Sequence, residues 1–205
     1  MATANGTVKK TFLTEFSRPR SVGLRALELD EGDVLVGTAI TNGKNDVMLF
    51  ASNGKAVRFE EDDVRAMGRS ARGVRGIRMT ADARMIALII PAEDGKILTV
   101  SQKGYGKRTL ADEFPTKGRG TQGVIAMQCS ERNGNMVGAV QVFDGDQLML
   151  ISDQGTLVRT RTDEIAIVSR NTQGVRVIRL KDDEHLVGVE RIAESDESES
   201  EDDVL

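Results

Sequence analysis

The sequence predicts an all-β fold, a propeller-like β-pinwheel of four repeats of about 50 residues with four short strands in each. Three markers keep that period along the chain. A turn glycine stands at Gly6, Gly54, Gly104 and Gly155, each followed four residues later by a cation, Lys10, Arg58, Arg108 and Arg159. A second glycine recurs at Gly23, Gly73, Gly123 and Gly174, and a small residue at Gly37, Ala87, Gly138 and Gly188. Helical periodicity is nearly absent, whereas short apolar runs bounded by turn residues are frequent, which favours strands.

The second repeat displays the elements most plainly. Val47-Met48-Leu49-Phe50 reads as a strand, and Asn53-Gly54 as a hairpin turn, because Asn-Gly accepts the positive φ of a tight connection. Residues 56–59 form the returning strand. A glycine- and arginine-rich loop follows, then a third strand at 74–79, a polar turn at 80–83 and a fourth strand at 85–90, stopped by Pro91. On this template the repeats span 1–46, 47–95, 96–146 and 147–193, with a tail at 194–205. Counting back from Gly6, Met1 aligns with Leu49, so the residues that open the first strand in the other copies have no counterpart. A cut array must expose a face or a strand edge, so the chain is expected to be the end of a larger protein; a small closed four-bladed ring is the alternative.

Composition bounds the function. With 39% hydrophobic and 29% charged residues the chain is able to bury a core, and no apolar run approaches a membrane span. The first residues carry neither a basic nor an apolar export signal, so a cytoplasmic location is expected. One cysteine, Cys129, and one histidine, His185, allow no internal disulfide and none of the usual zinc frameworks; Cys129, in an apolar run, is expected to be a packed core thiol. The net charge of −4 is uneven: residues 194–205 hold seven acids and no base, leaving 28 bases against 25 acids in the rest. The tail has too few apolar groups to repay ordering and is expected to be disordered, as a solubilising end or as a competitor for the basic body.

Within each repeat, the loop leading to the second glycine carries bases and no acid. The loops 17–23, 65–73, 115–123 and 166–174 hold Arg18, Arg20, Arg65, Arg69, Arg72, Lys117, Arg119 and Arg170. Acids collect in the turn before the fourth strand, at Asp30, Glu31, Asp33, Asp82, Glu131, Asp182, Asp183 and Glu184. Equivalent loops of a repeat array occupy equivalent places, so one basic and one acidic rim are expected. Arginine and lysine among Gly, Ser and Thr suit phosphate, since the cations release counterions and the small residues let backbone amides approach. The eight cations are therefore the candidate DNA contacts. Without a base-reading helix the binding is expected to ignore sequence, and contacts on successive blades favour bent duplex. Aromatics at 3% argue against stacking on single strands or RNA. A scaffold for an acidic protein partner fits the same rim, and arginines that merely solvate loops are the plain reading. The cations Lys10, Arg58, Arg108 and Arg159 each precede an acid by five residues, Glu15, Asp63, Glu113 and Glu164, and are read as structural ion pairs within the blade.

Other signals carry no chemistry. Residues 118–123 match GxGxxG but precede a predicted strand, the wrong setting for a dinucleotide. Residues 104–109 lack the glycine spacing of a P-loop. Tyr105, beside a hairpin turn, is given no nucleophilic role. The acids present in every repeat are architectural, since catalytic carboxylates form unique pairs.

The segments at 2–11 (ATANGTVKKT), 64–68 (VRAMG), 73–78 (GVRGIR), 104–109 (GYGKRT), 155–161 (GTLVRTR) and 170–175 (RNTQGV) closely resemble the C-terminal domain of bacterial DNA gyrase A, a part of the type IIA topoisomerases. The similarity covers residues 1–193. It implies late blades of a six-bladed β-pinwheel whose neighbouring blades exchange strands, and which wraps DNA on its outer rim with positive handedness to support ATP-driven negative supercoiling. It further implies double-stranded DNA, the rest of gyrase A and the whole of gyrase B as partners, a nucleoid-associated location, no membrane, and no cofactor in this chain; ATP and Mg are used by the complete enzyme. No catalytic or metal-binding residue is implied here. The hallmark Gln-Arg-Arg-Gly-Gly-Lys-Gly box is missing, with residues 117–123 a degenerate counterpart, and the cleavage core is absent. The related C-terminal domain of topoisomerase IV is the nearest alternative within the family.

Overall fold

The computed structural model describes residues 1–193, so the tail expectation lies outside the described residues. The first repeat supplies β1 (Ala2–Thr3), β2 (Thr7–Val8) and β3 (Leu35–Gly37), and the second β4 (Asp46–Ala51), β5 (Lys55–Glu60), β6 (Val74–Arg75) and β7 (Met85–Ile89). The third supplies β8 (Lys96–Ser101), β9 (Tyr105–Leu110), β10 (Val124–Ile125) and β11 (Met136–Val142), and the fourth β12 (Gln147–Ser152), β13 (Leu157–Arg161), β14 (Val175–Arg176) and β15 (Leu186–Ile192).

The strands form four sheets, and the short third strand of each later repeat belongs to the sheet of the repeat before it. The orders are β3-β1-β2-β6, β10-β5-β4-β7, β11-β8-β9-β14 and β13-β12-β15. Neighbouring blades therefore exchange strands: the second, third and fourth repeats each supply four strands, as expected, and the first supplies three, so that three sheets have four strands and the last has three. The exchange also shortens the predicted third strand of the second repeat from 74–79 to Val74–Arg75, paired with Val8 and Thr7.

The repeated glycines are explained by this exchange. Gly54 turns the β4–β5 hairpin at φ 79°, and its carbonyl accepts the amides of Ala126 and Met127 from the next repeat at 2.8 and 3.1 Å. Gly6 and Gly104 do the same for residues 76–77 and 177–178. The small residue of the fourth strand serves the other end of the sheet: β3, β7, β11 and β15 pack on one another in sequence, and a Cβ at Gly138 would lie 2.5 Å from Val189 Cγ1. These four strands line the axis, which puts β6, β10 and β14 on the periphery.

Three apolar cores lie between the four sheets. Val47, Leu49 and Ala51 face the first sheet with Ala2 and Val8, while Met48 and Phe50 face the third with Ile97 and Phe114. Phe50 and Phe114 meet edge to face with centroids 5.9 Å apart. Burial on both faces explains why β4 reads as an unbroken apolar run instead of an alternation. In the last sheet only one face is covered, and β12 alternates: Leu148, Leu150 and Ser152 are buried, Met149 and Ile151 half-buried. At the other end β1 has two residues against six in β4, and a cavity of about 940 Å³ opens beside Val8, Val47 and Phe59. No backbone pairing joins the fourth repeat to the first among the described residues, so the four repeats do not close into a hydrogen-bonded ring.

Candidate nucleic-acid interface

In the second, third and fourth repeats the basic loop precedes the exchanged strand and stays beside it at the periphery; no exchanged strand follows the loop of the first repeat among the described residues. Three of these loops are tied down by an arginine four residues before the second glycine. Arg119 donates to the carbonyls of Asp63 (2.8 Å) and Arg75 (3.1 Å), and Arg170 to those of Glu113 (3.1 Å) and Ile125 (3.0 Å). Arg69 donates to the carbonyl of Arg25 at 3.4 Å. In the first repeat the position is Pro19. Each arginine pins its loop to the preceding repeat; Arg119 and Arg170 each reach two carbonyls there, while Arg69 reaches one and its buried Nε finds no partner among the described residues.

Two buried lysines fix the loops from beneath. Lys107 Nζ donates to the carbonyls of Ser169 (2.8 Å) and Arg170 and to Thr172 Oγ1 (3.2 Å). Lys9 Nζ donates to the carbonyls of Ala26 (2.7 Å) and Arg69. Burial pulls Lys107 down to about 8, against the opposing pull of Glu113, and lowers Lys9 as well. A buried ammonium is tolerated only where its donors find acceptors, which the loop carbonyls supply.

The eight predicted contacts thus separate by environment. Arg18, Arg20, Arg65 and Lys117 are exposed, and their side chains make no hydrogen bond or ion pair among the described residues. Arg69, Arg119 and Arg170 are half-buried pins. Arg72 forms exposed ion pairs with Asp30 (2.7 Å) and Glu28 (3.3 Å) of the preceding repeat. The acidic turn of the first repeat therefore meets the basic loop of the second, and the two rims are not cleanly separated there.

Lys10, Arg58 and Arg108 are structural cations, with partners different from those expected. The acid five positions on, Glu15, Asp63, Glu113 or Glu164, lies beyond the strand in the short 3-10 turn that follows it, and it forms no ion pair with that cation among the described residues. Arg58 instead pairs with Asp46 across the hairpin at 2.6 Å, Lys10 with Asp62 of the next repeat at 3.2 Å, and Arg108 with Asp144 at 3.4 Å and Asp163 at 3.6 Å. Arg159 donates to Gln147 Oε1 at 2.5 Å. Cys129 is half-buried, packed on the second core, and its thiol is raised by burial.

Strand exchange brings together cations that the repeat alignment hides. At the peripheral edge the cross-strand pairs are Thr7 with Arg75, Lys55 with Ile125, and Tyr105 with Arg176. Each pair holds one cation, supplied by the exchanged strand in the first and third sheets and by the hairpin in the second. Neither column of the repeat is uniformly basic, so only knowledge of the exchange register could have found them. With the four free loop cations they set basic charge on successive blades around the periphery.

The family model described as "DNA gyrase C-terminal domain, beta-propeller" matches residues 1–42, 45–92, 95–142 and 146–193, one stretch per repeat. The chain belongs to this family. The DNA gyrase A protein of Salmonella typhimurium is 62% identical over 194 residues, which are 95% of this chain and 22% of that protein. The chain thus spans less than a quarter of the length of that relative. Among solved structures, a DNA gyrase A C-terminal domain superposes with a TM-score of 0.82 at 24% identity, over 94% of this chain and 64% of that one. The C-terminal domain of DNA topoisomerase IV superposes with a TM-score of 0.87 at 25% identity, over 93% of this chain and 60% of that one. The exchanged-strand pinwheel is accordingly the family fold. None of the described helices is long and apolar enough to cross a membrane.

Proposed function

We propose that this gyrase-family domain binds and wraps double-stranded DNA around its periphery without reading base sequence, and so supports ATP-dependent negative supercoiling by a complete gyrase. Strand cleavage and ATP hydrolysis with Mg belong to other parts of that enzyme, in which the remainder of gyrase A and the whole of gyrase B are the protein partners. The domain acts in the cytoplasm, on the nucleoid. The observation that carries this reading is the recurrence, on the periphery of successive blades, of cations without a carboxylate partner among the described residues: Arg18, Arg20, Arg65 and Lys117 in the loops, and Lys55, Arg75 and Arg176 on the outer rungs. Phosphates recur along a duplex at regular spacing, and a bent duplex can meet one blade after another.

The pinned arginines contribute indirectly, by fixing the loops that present the free ones. Such pre-organisation means that little loop entropy is lost when DNA docks. Filter binding of unrelated duplexes of equal length across a salt series tests the reading. Seven engaged cations give a slope of log K on log salt of about −6, equal for all sequences. A slope near zero, or an affinity confined to one sequence, would reject it.

A further inference from the structure

Tyr105 lies at the start of β9 and is buried except for 6% of its surface, yet its hydroxyl is shared by two arginines from different elements. Arg132 Nε, from the turn before β11, reaches Tyr105 Oη at 3.2 Å, and an Arg176 terminal nitrogen, from the exchanged strand β14, reaches it at 3.1 Å. Both guanidinium carbons stand 5.3 Å from the ring centroid. Two like charges are therefore held at one neutral acceptor. Neither arginine pairs with a carboxylate among the described residues, whereas Arg58, Arg72 and Arg108 all do. Each guanidinium has five N–H donors and spends one on the phenol, Arg132 through Nε and Arg176 through a terminal nitrogen, leaving four donors on each.

We propose that Arg132, Tyr105 and Arg176 form a seat for a phosphodiester group of duplex DNA. This seat rests on the DNA-binding reading above and adds the place and chemistry of one contact. Two guanidiniums gathered at one hydroxyl, with their remaining donors unspent, suit a tetrahedral phosphate, whose two unesterified oxygens each accept charge-assisted hydrogen bonds. Tyr105 acts as the spacer: its ring carries a cation–π contact to each guanidinium, and its hydroxyl holds both groups in place before an anion arrives. The arginines in turn hold the phenol below its ordinary pKa, consistent with a site of positive potential. The seat also falls on the peripheral rung that bears Arg75 in the first sheet and Lys55 in the second, and the loop 166–174 is braced against it, with Gln173 donating to Ser130 Oγ at 2.9 Å.

The chain has one tyrosine and no tryptophan, so tyrosine emission reports this site alone. A 40-base-pair duplex is titrated into the intact chain while emission and filter binding are followed together. The seat is expected to give a saturable emission change that tracks binding, is reversed by salt, and is reproduced in direction by high concentrations of inorganic phosphate. Arg132→Ala with Arg176→Ala is expected to lower the salt slope by about 1.8 and the affinity on the order of 50-fold at 0.1 M salt, and lysine at both positions to restore the slope. Both side chains are exposed, and a thermal melt verifies that the variants are folded. Duplex binding with unchanged emission and an unchanged slope in the alanine variant would overturn the seat while leaving the DNA-binding reading intact. An emission response to poly-glutamate but not to duplex would overturn it in favour of an acidic protein. Absence of any duplex binding would overturn both readings.

Discussion

Replacing Gly123 by alanine is expected to destabilise the domain by about 4 kcal/mol, whereas the same change at Gly23 costs about 1 kcal/mol. Both glycines occupy the same position of the repeat and both have left-handed backbone, at φ 70° and 78°. The left-handed conformation accounts for the shared cost of a Cβ. The difference comes from strand exchange. A Cβ on Gly123 would stand 2.0 Å from the carbonyl oxygen of Ala56, so β10 must leave β5 and the pairs Val124 with Ala56 and Ile125 with Lys55 are lost. At Gly23 nothing lies within 4 Å, because the following segment of the first repeat joins no sheet among the described residues. For a chain of this size the two changes correspond to melting-temperature losses of about 12 °C and about 3 °C. Equal losses would mean that β10 does not pair as described.

The second large effect separates cations that touch DNA from cations that hold the fold. Alanine at Arg18, Arg20, Arg65 and Lys117 together is expected to flatten the salt slope by about 3.6 and to weaken duplex binding at 0.1 M salt on the order of 10³-fold, with the melting temperature unchanged within about 2 °C. Alanine at Arg119 or at Arg170 should behave oppositely. Each removes two hydrogen bonds to carbonyls of the preceding repeat and costs about 2 kcal/mol of stability, with a smaller effect on the salt slope. Loss of stability in the fourfold variant, or normal stability in both pin variants, would contradict the assignment of roles. Salt bridges at the surface are worth little, so Arg72 with Asp30 and Glu28 enters neither group.

The fold was legible where one physical demand dominates a segment. The apolar run at 47–50, the Asn-Gly turn and the run at 85–90 each admit little besides a strand, a hairpin and a buried strand, and β4, β5 and β7 are found there. The period of the glycines was legible too, but its cause was not: Gly54 and Gly123 are constrained by backbone that arrives from a neighbouring repeat, which no local pattern expresses. The same non-local pairing hid Lys55, Arg75 and Arg176, because their common place on the outer rung exists only once β6, β10 and β14 have crossed over. Charge in a loop was visible in the sequence, whereas its use was not. Arg119 and Lys117 look alike as letters, yet one ends on two carbonyls and the other is left to solvent. The partners of Lys10, Arg58 and Arg108 escape the sequence for a related reason, since counting along the chain ignores that the acid five positions on belongs to the 3-10 turn after the strand and that cross-strand and next-repeat acids pair with the cation instead.

Wrapping is tested most directly by topology. Nicked circular DNA is incubated with the chain, sealed with ligase, freed of protein and resolved on a gel that distinguishes the sign of supercoils. If the cations of successive blades guide a bent duplex around the periphery with positive handedness, the sealed circles carry positive supercoils whose number rises with protein and falls as salt is raised. Circles sealed with the linking number of free DNA, at protein concentrations where filter binding shows the DNA to be occupied, would contradict wrapping by this domain.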